Sequence, residues 1–65
     1  MRHRKGDKVR VIDINSPYYG KEGIVLFVGT IDFFPFWRIT VRVNGGGVVE
    51  FLDDDVELVE GVKDE

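Results

Sequence analysis

The sequence predicts an all-β fold built from five short strands, and three observations lead to that prediction. Val is the most frequent of the 65 residues and alanine is absent, a composition that favours strands over helices. Turn-forming residues recur at short intervals and divide the chain into brief segments. Residues 36–43 alternate apolar and polar side chains with the period of two typical of a half-buried strand. This length allows one domain, so we expect residues 1–65 to form a single one.

The first half of the chain predicts two strands separated by turns. Residues 7–14 form the first, with Val9 and Val11 on one face. Ile12 and Ile14 fall on the opposite parity, which predicts a twist or a bulge near Val11 and Ile12. Residues 15–20 and 21–23 are rich in turn formers. The apolar run 24–28 predicts a second strand covered on both faces, and residues 30–35 predict another loop.

The second half predicts three strands and one tight turn of helix. In segment 36–43 we expect Trp37, Ile39, Val41 and Val43 to face the core, and Phe36, Arg38, Thr40 and Arg42 to face outward. Residues 44–47 predict a hairpin turn and residues 48–52 the returning strand. The aspartates at 53–55 predict a 3₁₀ turn capped by an Asp side chain, before a last strand at 56–59.

Five strands with a short 3₁₀ turn before the last one are the layout of a small SH3-like barrel. We expect residues 1–5 and 61–65 to be mobile tails of this single domain.

Two segments of the first half resemble the KOW motif of ribosomal proteins and of transcription elongation factors. They are residues 5–12 (KGDKVRVI) and residues 20–25 (GKEGIV). The resemblance implies an SH3-like barrel that binds nucleic acid, the ribosome or a transcription complex. The loop between the two segments is longer than in ribosomal KOW proteins and carries Pro17, Tyr18 and Tyr19 where basic residues are usual.

A second resemblance, to the photosystem I reaction-centre subunit IV, covers more of the chain. It consists of Tyr18 and Tyr19 in the first loop, a Pro-containing entry to a Val-rich strand at 35–43, and a Phe followed by an acidic turn at 51–57. The resemblance implies the same barrel architecture. The hairpin at 44–47 is shorter than the corresponding loop of that subunit.

Composition and charge exclude several classes of protein. The absence of cysteine removes disulfides, thiolate metal sites and cysteine nucleophiles. No apolar run is long enough to span a bilayer, and the basic start lacks the apolar stretch of a signal peptide, so we expect a cytoplasmic protein. Five basic side chains and one acidic give residues 1–10 a net charge of +4, whereas eight acidic and one basic give residues 43–65 a net charge of −7. This layout can orient the chain on a partner, or both ends can simply be solvated.

The sequence predicts neither a catalytic nor a cofactor site. His3 is the only histidine and is expected in the N-terminal tail, without a partner that would make it a general base or a metal ligand. Ser16, Thr30 and Thr40 have no candidate base beside them. The carboxylates at 53–55 lack the spacing of a calcium loop, so we interpret them as a solvated turn.

The surplus of aromatic side chains in the two loops predicts a docking or adaptor module that binds a larger protein assembly. A thin core cannot hold every ring, although any one ring can instead close an end of the barrel. We expect the protein-binding residues to be Tyr18, Tyr19, Phe34, Phe36 and Arg38.

Two further interpretations stay open. A nucleic-acid or ribosome-binding module would use Arg2, Arg4, Lys5, Lys21, Arg38 and Arg42. The acidic last third of the chain counts against it, because carboxylates repel phosphates. A small regulator or inhibitor of an enzyme is the third interpretation. We expect a monomer, although an open sheet edge also permits a dimer.

Overall fold

One antiparallel sheet organises the computed structural model, which describes residues 3–30 and 37–61. Its strands are β1 (Lys8–Val11), β2 (Glu22–Thr30), β3 (Trp37–Val43), β4 (Gly47–Leu52) and β5 (Val56–Glu60). A 3₁₀ turn at Asp53–Asp55 lies between β4 and β5, and the strand order is β4-β3-β2-β1-β5. The described residues therefore confirm the all-β prediction, the five strands and the 3₁₀ turn before the last strand.

The inner face of the sheet carries the core, which consists largely of β-branched side chains. Its buried members are Val9, Val11, Val25, Ile39, Val41, Val43, Phe51 and Val56. In β3 the inward residues alternate with Arg38, Thr40 and Arg42, as the sequence predicts, although Trp37 is only half-buried. Phe36, expected on the outer side, lies outside the described residues. Branched side chains pack well on a pleated surface, which is why a Val-rich sequence forms this sheet.

The first strand is shorter than predicted, and the bulge expected near Val11 is not there. After Val11 the chain leaves the sheet, since the N–H of Ile12 donates to the carbonyl of Asp55 at 2.9 Å. Ile12 and Ile14 are exposed, so their opposite parity reflects a loop and not a continued strand. The irregularity of β1 lies between Lys8 and Val9, in the pairing with β5.

The second strand is not covered on both faces, which corrects the prediction for residues 24–28. Val25 pairs with Val41 and Phe27 pairs with Thr40, so Leu26 is one extra residue in β2. This bulge resets the alternation, because the residues on either side of it fall on opposite faces of the pleat. Ile24 and Phe27 both become exposed as a result.

The acidic turn forms without the side-chain cap that the aspartates predict. Leu52 occupies the N-cap position in an extended conformation, and no side chain there accepts a backbone N–H. Leucine has no oxygen with which to do so. The preceding hairpin confirms its prediction, with Gly45 and Gly47 at positive φ of 75° and 77°.

His3 is buried, which corrects its placement in a solvated tail. Its side chain is 3% exposed, and Nε2 lies 3.2 Å from the carbonyl oxygen of Asp53. The next residues are also held, since the Arg4 N–H donates to Asp7 Oδ2 at 2.9 Å and the Gly6 N–H donates to the Val25 carbonyl at 2.8 Å. The chain from residue 3 onward is therefore docked against β2 and the 3₁₀ turn.

Within the described ranges, the structure contains no helix long and apolar enough to cross a membrane.

Candidate functional site

The outer side of β2, β3 and β4 presents a regular grid of outward-facing residues, most of which are exposed. The strand register sets it in three rows: Ile24, Arg42 and Val48; Phe27, Thr40 and Glu50; and Gly29, Arg38 and Leu52. We call these residues the outer face. Neighbouring strands are about 4.8 Å apart, so the outer face is about 10 Å wide between the Cα atoms of β2 and β4.

The four apolar residues of the outer face are all exposed. Phe27 is 65% exposed and Val48 is 59% exposed, and Ile24 and Leu52 are also exposed. Single exposed apolar residues are ordinary, but here four of them share one side of three adjacent strands. They form two apolar columns, one on β2 and one on β4, on either side of the polar residues of β3.

Three cations lie on or beside the outer face, in different electrostatic situations. Arg38 Nη1 lies 3.7 Å from Glu50 Oε2, so its charge is partly balanced. Lys5 Nζ lies 5.8 Å from the centroid of the Phe27 ring, within the range of a cation–π contact. Arg42 forms no ion pair with any described residue, and it lies between Ile24 and Val48.

The basic residues of β1 are neutralised by carboxylates of the neighbouring strands. Arg10 Nη2 donates to Glu22 Oε2 at 2.7 Å and Nη1 donates to Glu57 Oε1 at 3.3 Å. Lys8 Nζ lies 3.3 Å from Glu22 Oε1. The hydrogen bond from Arg10 is the main reason that the pKa of Glu22 is lowered, and the same bond raises the pKa of Arg10. The excess positive charge of the N-terminal segment is therefore partly balanced within the fold.

Of the three predicted protein-binding residues that the structure describes, Arg38 lies on the outer face and the two tyrosines do not. Tyr18 is half-buried and packs against the core, near Gly46 of the β3–β4 hairpin. Tyr19 is 57% exposed in the same loop. This loop contacts the Val43 end of β3, whereas Arg38 is five residues away along the strand, about 17 Å. Phe34 and Phe36 lie outside the described residues.

The predicted nucleic-acid-binding residues are brought together only in part. Lys5, Arg38 and Arg42 lie on or beside the outer face. Lys21 is exposed in the turn before β2, and the N–H of Arg4 donates to Asp7. Arg2 lies outside the described residues.

Sequence reasoning missed the four apolar members of the outer face. Ile24 and Phe27 belong to a run that looks uniformly buried, and only the bulge at Leu26 places both on the outside. Val48 and Leu52 lie with Glu50 on the outward side of β4, at odd spacings from the buried Phe51. Side chains alternate between the two faces of a strand, so this spacing from an inward Phe51 is the signal that identifies them as outward residues.

A concavity of about 420 Å³ lies beside the 3₁₀ turn. Its lining residues are His3, Ile12, Asp54, Val56, Glu57 and Leu58. His3 Nδ1 is buried without a hydrogen-bond partner in the described part of the chain. Glu57 is already bonded to Arg10, and no three His, Asp or Glu side chains of the described residues are placed to hold a metal ion.

Comparison with protein-family models, with curated proteins and with solved structures finds no match for this chain. The likeness to KOW proteins and to the photosystem subunit therefore rests on the sequence segments that suggest it.

Proposed function

We propose that this chain is a non-enzymatic docking module that binds a larger protein assembly through its outer face. The observation that carries the proposal is Phe27, an aromatic side chain that is 65% exposed near the middle of β2. Exposed aromatic and aliphatic side chains on one surface, with arginines among them, are typical of protein–protein interfaces. The sequence suggested this function from its aromatic loops; the outer face supplies a better-defined surface for it.

The fold supports the same proposal. A five-stranded antiparallel order in which β1 lies between β2 and β5, with a 3₁₀ turn before β5, fits an SH3-like barrel of the kind that the KOW-like segments suggest. Barrels of this size have little room for a deep catalytic cleft and act through their surfaces. The absence of cysteine suits the reducing conditions of the cytoplasm, where we place the protein.

Affinity capture from the native cell extract, with and without nuclease, tests this proposal. The bait is the whole chain, compared with Phe27→Ser and with the control Tyr19→Ser, which alters an equally exposed ring away from the outer face. We expect a set of proteins that survives nuclease, is lost with Phe27→Ser and is retained with Tyr19→Ser. Equal capture by both variants would show that the outer face is not the docking surface.

Binding to single-stranded nucleic acid is the second candidate function, favoured by the contact between Lys5 and Phe27 with Arg42 nearby. A ring flanked by cations can stack on a base while the cations contact phosphates. Titration of a labelled oligonucleotide at several salt concentrations tests it, since each phosphate contact contributes to a fall of affinity with salt. No binding at low salt would remove this candidate.

A further inference from the structure

We propose that the outer face recognises a protein segment in which apolar side chains flank a carboxylate that pairs with Arg42. This inference rests on the proposed docking function and specifies the chemistry of the partner.

The arrangement of charge on the outer face sets the chemistry of this partner. Arg38, Thr40 and Arg42 form a polar central column on β3. Apolar columns lie on either side of it, with Ile24 and Phe27 on β2, and Val48 and Leu52 on β4. A segment that covers the outer face must therefore place polar acceptors over β3 and apolar side chains over β2 and β4.

Arg42 is the point on the outer face that needs an anion. Arg38 already has Glu50 at 3.7 Å, whereas Arg42 lies in a row with Ile24 and Val48 and has no carboxylate partner among the described residues. Covering that row would remove water from the guanidinium, and an unpaired charge in such a setting is costly. A carboxylate on the partner would satisfy it, because guanidinium and carboxylate can form two parallel hydrogen bonds.

The same charges count against a nucleic-acid backbone as the occupant. A strand of phosphates requires several unbalanced cations in a line. In the described part of the chain Lys8 and Arg10 are paired with Glu22, Arg38 is paired with Glu50, and Glu50 itself stands on the outer face. A single carboxylate fits this distribution better.

A second copy of the chain also offers suitable chemistry, since Glu57, Leu58, Val59 and Glu60 are all exposed on β5. Such a contact would join the outer face of one copy to β5 of another. The resulting pair would still have one free outer face and one free β5. Association of that type continues into open chains unless the rotation closes a ring. We therefore assign the outer face to a separate protein.

Selection from a random twelve-residue peptide library displayed on phage tests the inference on the whole immobilised chain. The variants are Arg42→Leu, Arg42→Glu and Phe27→Ser, with Lys21→Glu as a control that alters an exposed cation away from the outer face. Val48→Ser repeats the apolar test from β4, and equal urea midpoints establish that the variants are folded. We expect the unaltered chain to enrich peptides with Asp or Glu between apolar residues, and Arg42→Leu to bind them about ten- to a hundredfold more weakly. Arg42→Glu should enrich Lys or Arg instead, and Lys21→Glu should match the unaltered chain.

The possible contrary results are distinguishable. If the enriched peptides lack a carboxylate, or if Arg42→Leu binds them as well as the unaltered chain does, the inference of an acidic partner is wrong. If Phe27→Ser fails to bind those same peptides, the docking function is still upheld. Equal enrichment by the unaltered chain, Phe27→Ser and Val48→Ser would overturn both. Sedimentation equilibrium showing association that depends on Arg42 would assign the outer face to a second copy. Tight binding of a ten-nucleotide RNA that is lost with Arg42→Leu would assign it to nucleic acid.

Discussion

Tyr18 meets Phe51 edge to face, with ring centroids 6.2 Å apart and ring planes at 89°. The contact joins the long first loop to the core strand β4. Tyr18 N–H also donates to Ser16 Oγ at 3.1 Å, which fixes the loop from within. Of the two adjacent tyrosines, one therefore closes the core and the other, Tyr19, remains available to solvent.

Tyr18→Ala should lower the free energy of unfolding by about 1–3 kcal/mol, because it removes a half-buried ring and its aromatic contact. Tyr19→Ala makes the same chemical change on an exposed ring and should alter it by about 0.5 kcal/mol or less. Urea denaturation of both variants measures the difference. Similar losses for the two would show that the first loop does not pack as described.

Gly23→Ala should destabilise the sheet by about 1–3 kcal/mol or more. A Cβ at Gly23 would collide with the carbonyl oxygen of Arg42 and lie 2.7 Å from Cγ1 of Val41, so β2 and β3 would have to separate. Gly29→Ala, in the same strand, meets nothing within 4 Å and should be neutral or slightly stabilising. Thermal unfolding of the pair checks this, and an equal loss at both positions would contradict the β2–β3 register.

Glu22 should titrate below its ordinary value of 4.5, chiefly because it accepts a hydrogen bond from Arg10. Because this folded-state pKa is depressed, the associated stability is present above the unfolded pKa and is lost as the pH falls through the folded one. In Arg10→Gln the titration midpoint of the Glu22 carboxyl, followed by NMR, should move upward. Arg38→Gln alters a different ion pair and should leave the Glu22 midpoint unchanged. If the midpoint moves in Arg38→Gln but not in Arg10→Gln, the Arg10–Glu22 pairing is wrong.

His3→Ala should cost about 1–3 kcal/mol of stability, because it removes a buried ring and the hydrogen bond to the Asp53 carbonyl. His3→Gln keeps a donor at this position and should lose less. Hydrogen exchange at the amides of the 3₁₀ turn, together with urea denaturation, gives the measurement. If the His3→Ala variant is as stable as the unaltered chain, His3 is not packed against the 3₁₀ turn and belongs to a solvated tail.

The strands were predictable wherever alternation is regular. Apolar and polar residues alternate regularly in segment 36–43, so its core face could be predicted from Ile39, Val41 and Val43. The glycines after Asn44 predicted the hairpin turn. The alternation failed at Leu26, because a run of five apolar residues does not reveal where a strand takes up an extra one.

The burial of His3 was beyond prediction for another reason. Its neighbour in space is Asp53, fifty positions away, and a single histidine beside basic residues carries no sign of so distant a contact. The candidate site was foreseen where it depends on β3, at Arg38 and Arg42. It was missed where it depends on the bulge that turns Phe27 outward.

The bulge at Leu26 thus determines which side chains of β2 lie on the outer face, although Leu26 is not one of them. If Leu26 took an ordinary place in the β2–β3 ladder instead of bulging, strict alternation would put Leu26 and Val28 on the Ile24 side of β2 and turn Phe27 toward the core with Val25. A deletion of Leu26, by contrast, would leave Phe27 directly after Val25 and still opposite Thr40, so the outward position of the ring depends on whether residue 26 bulges and not on which side chain it carries.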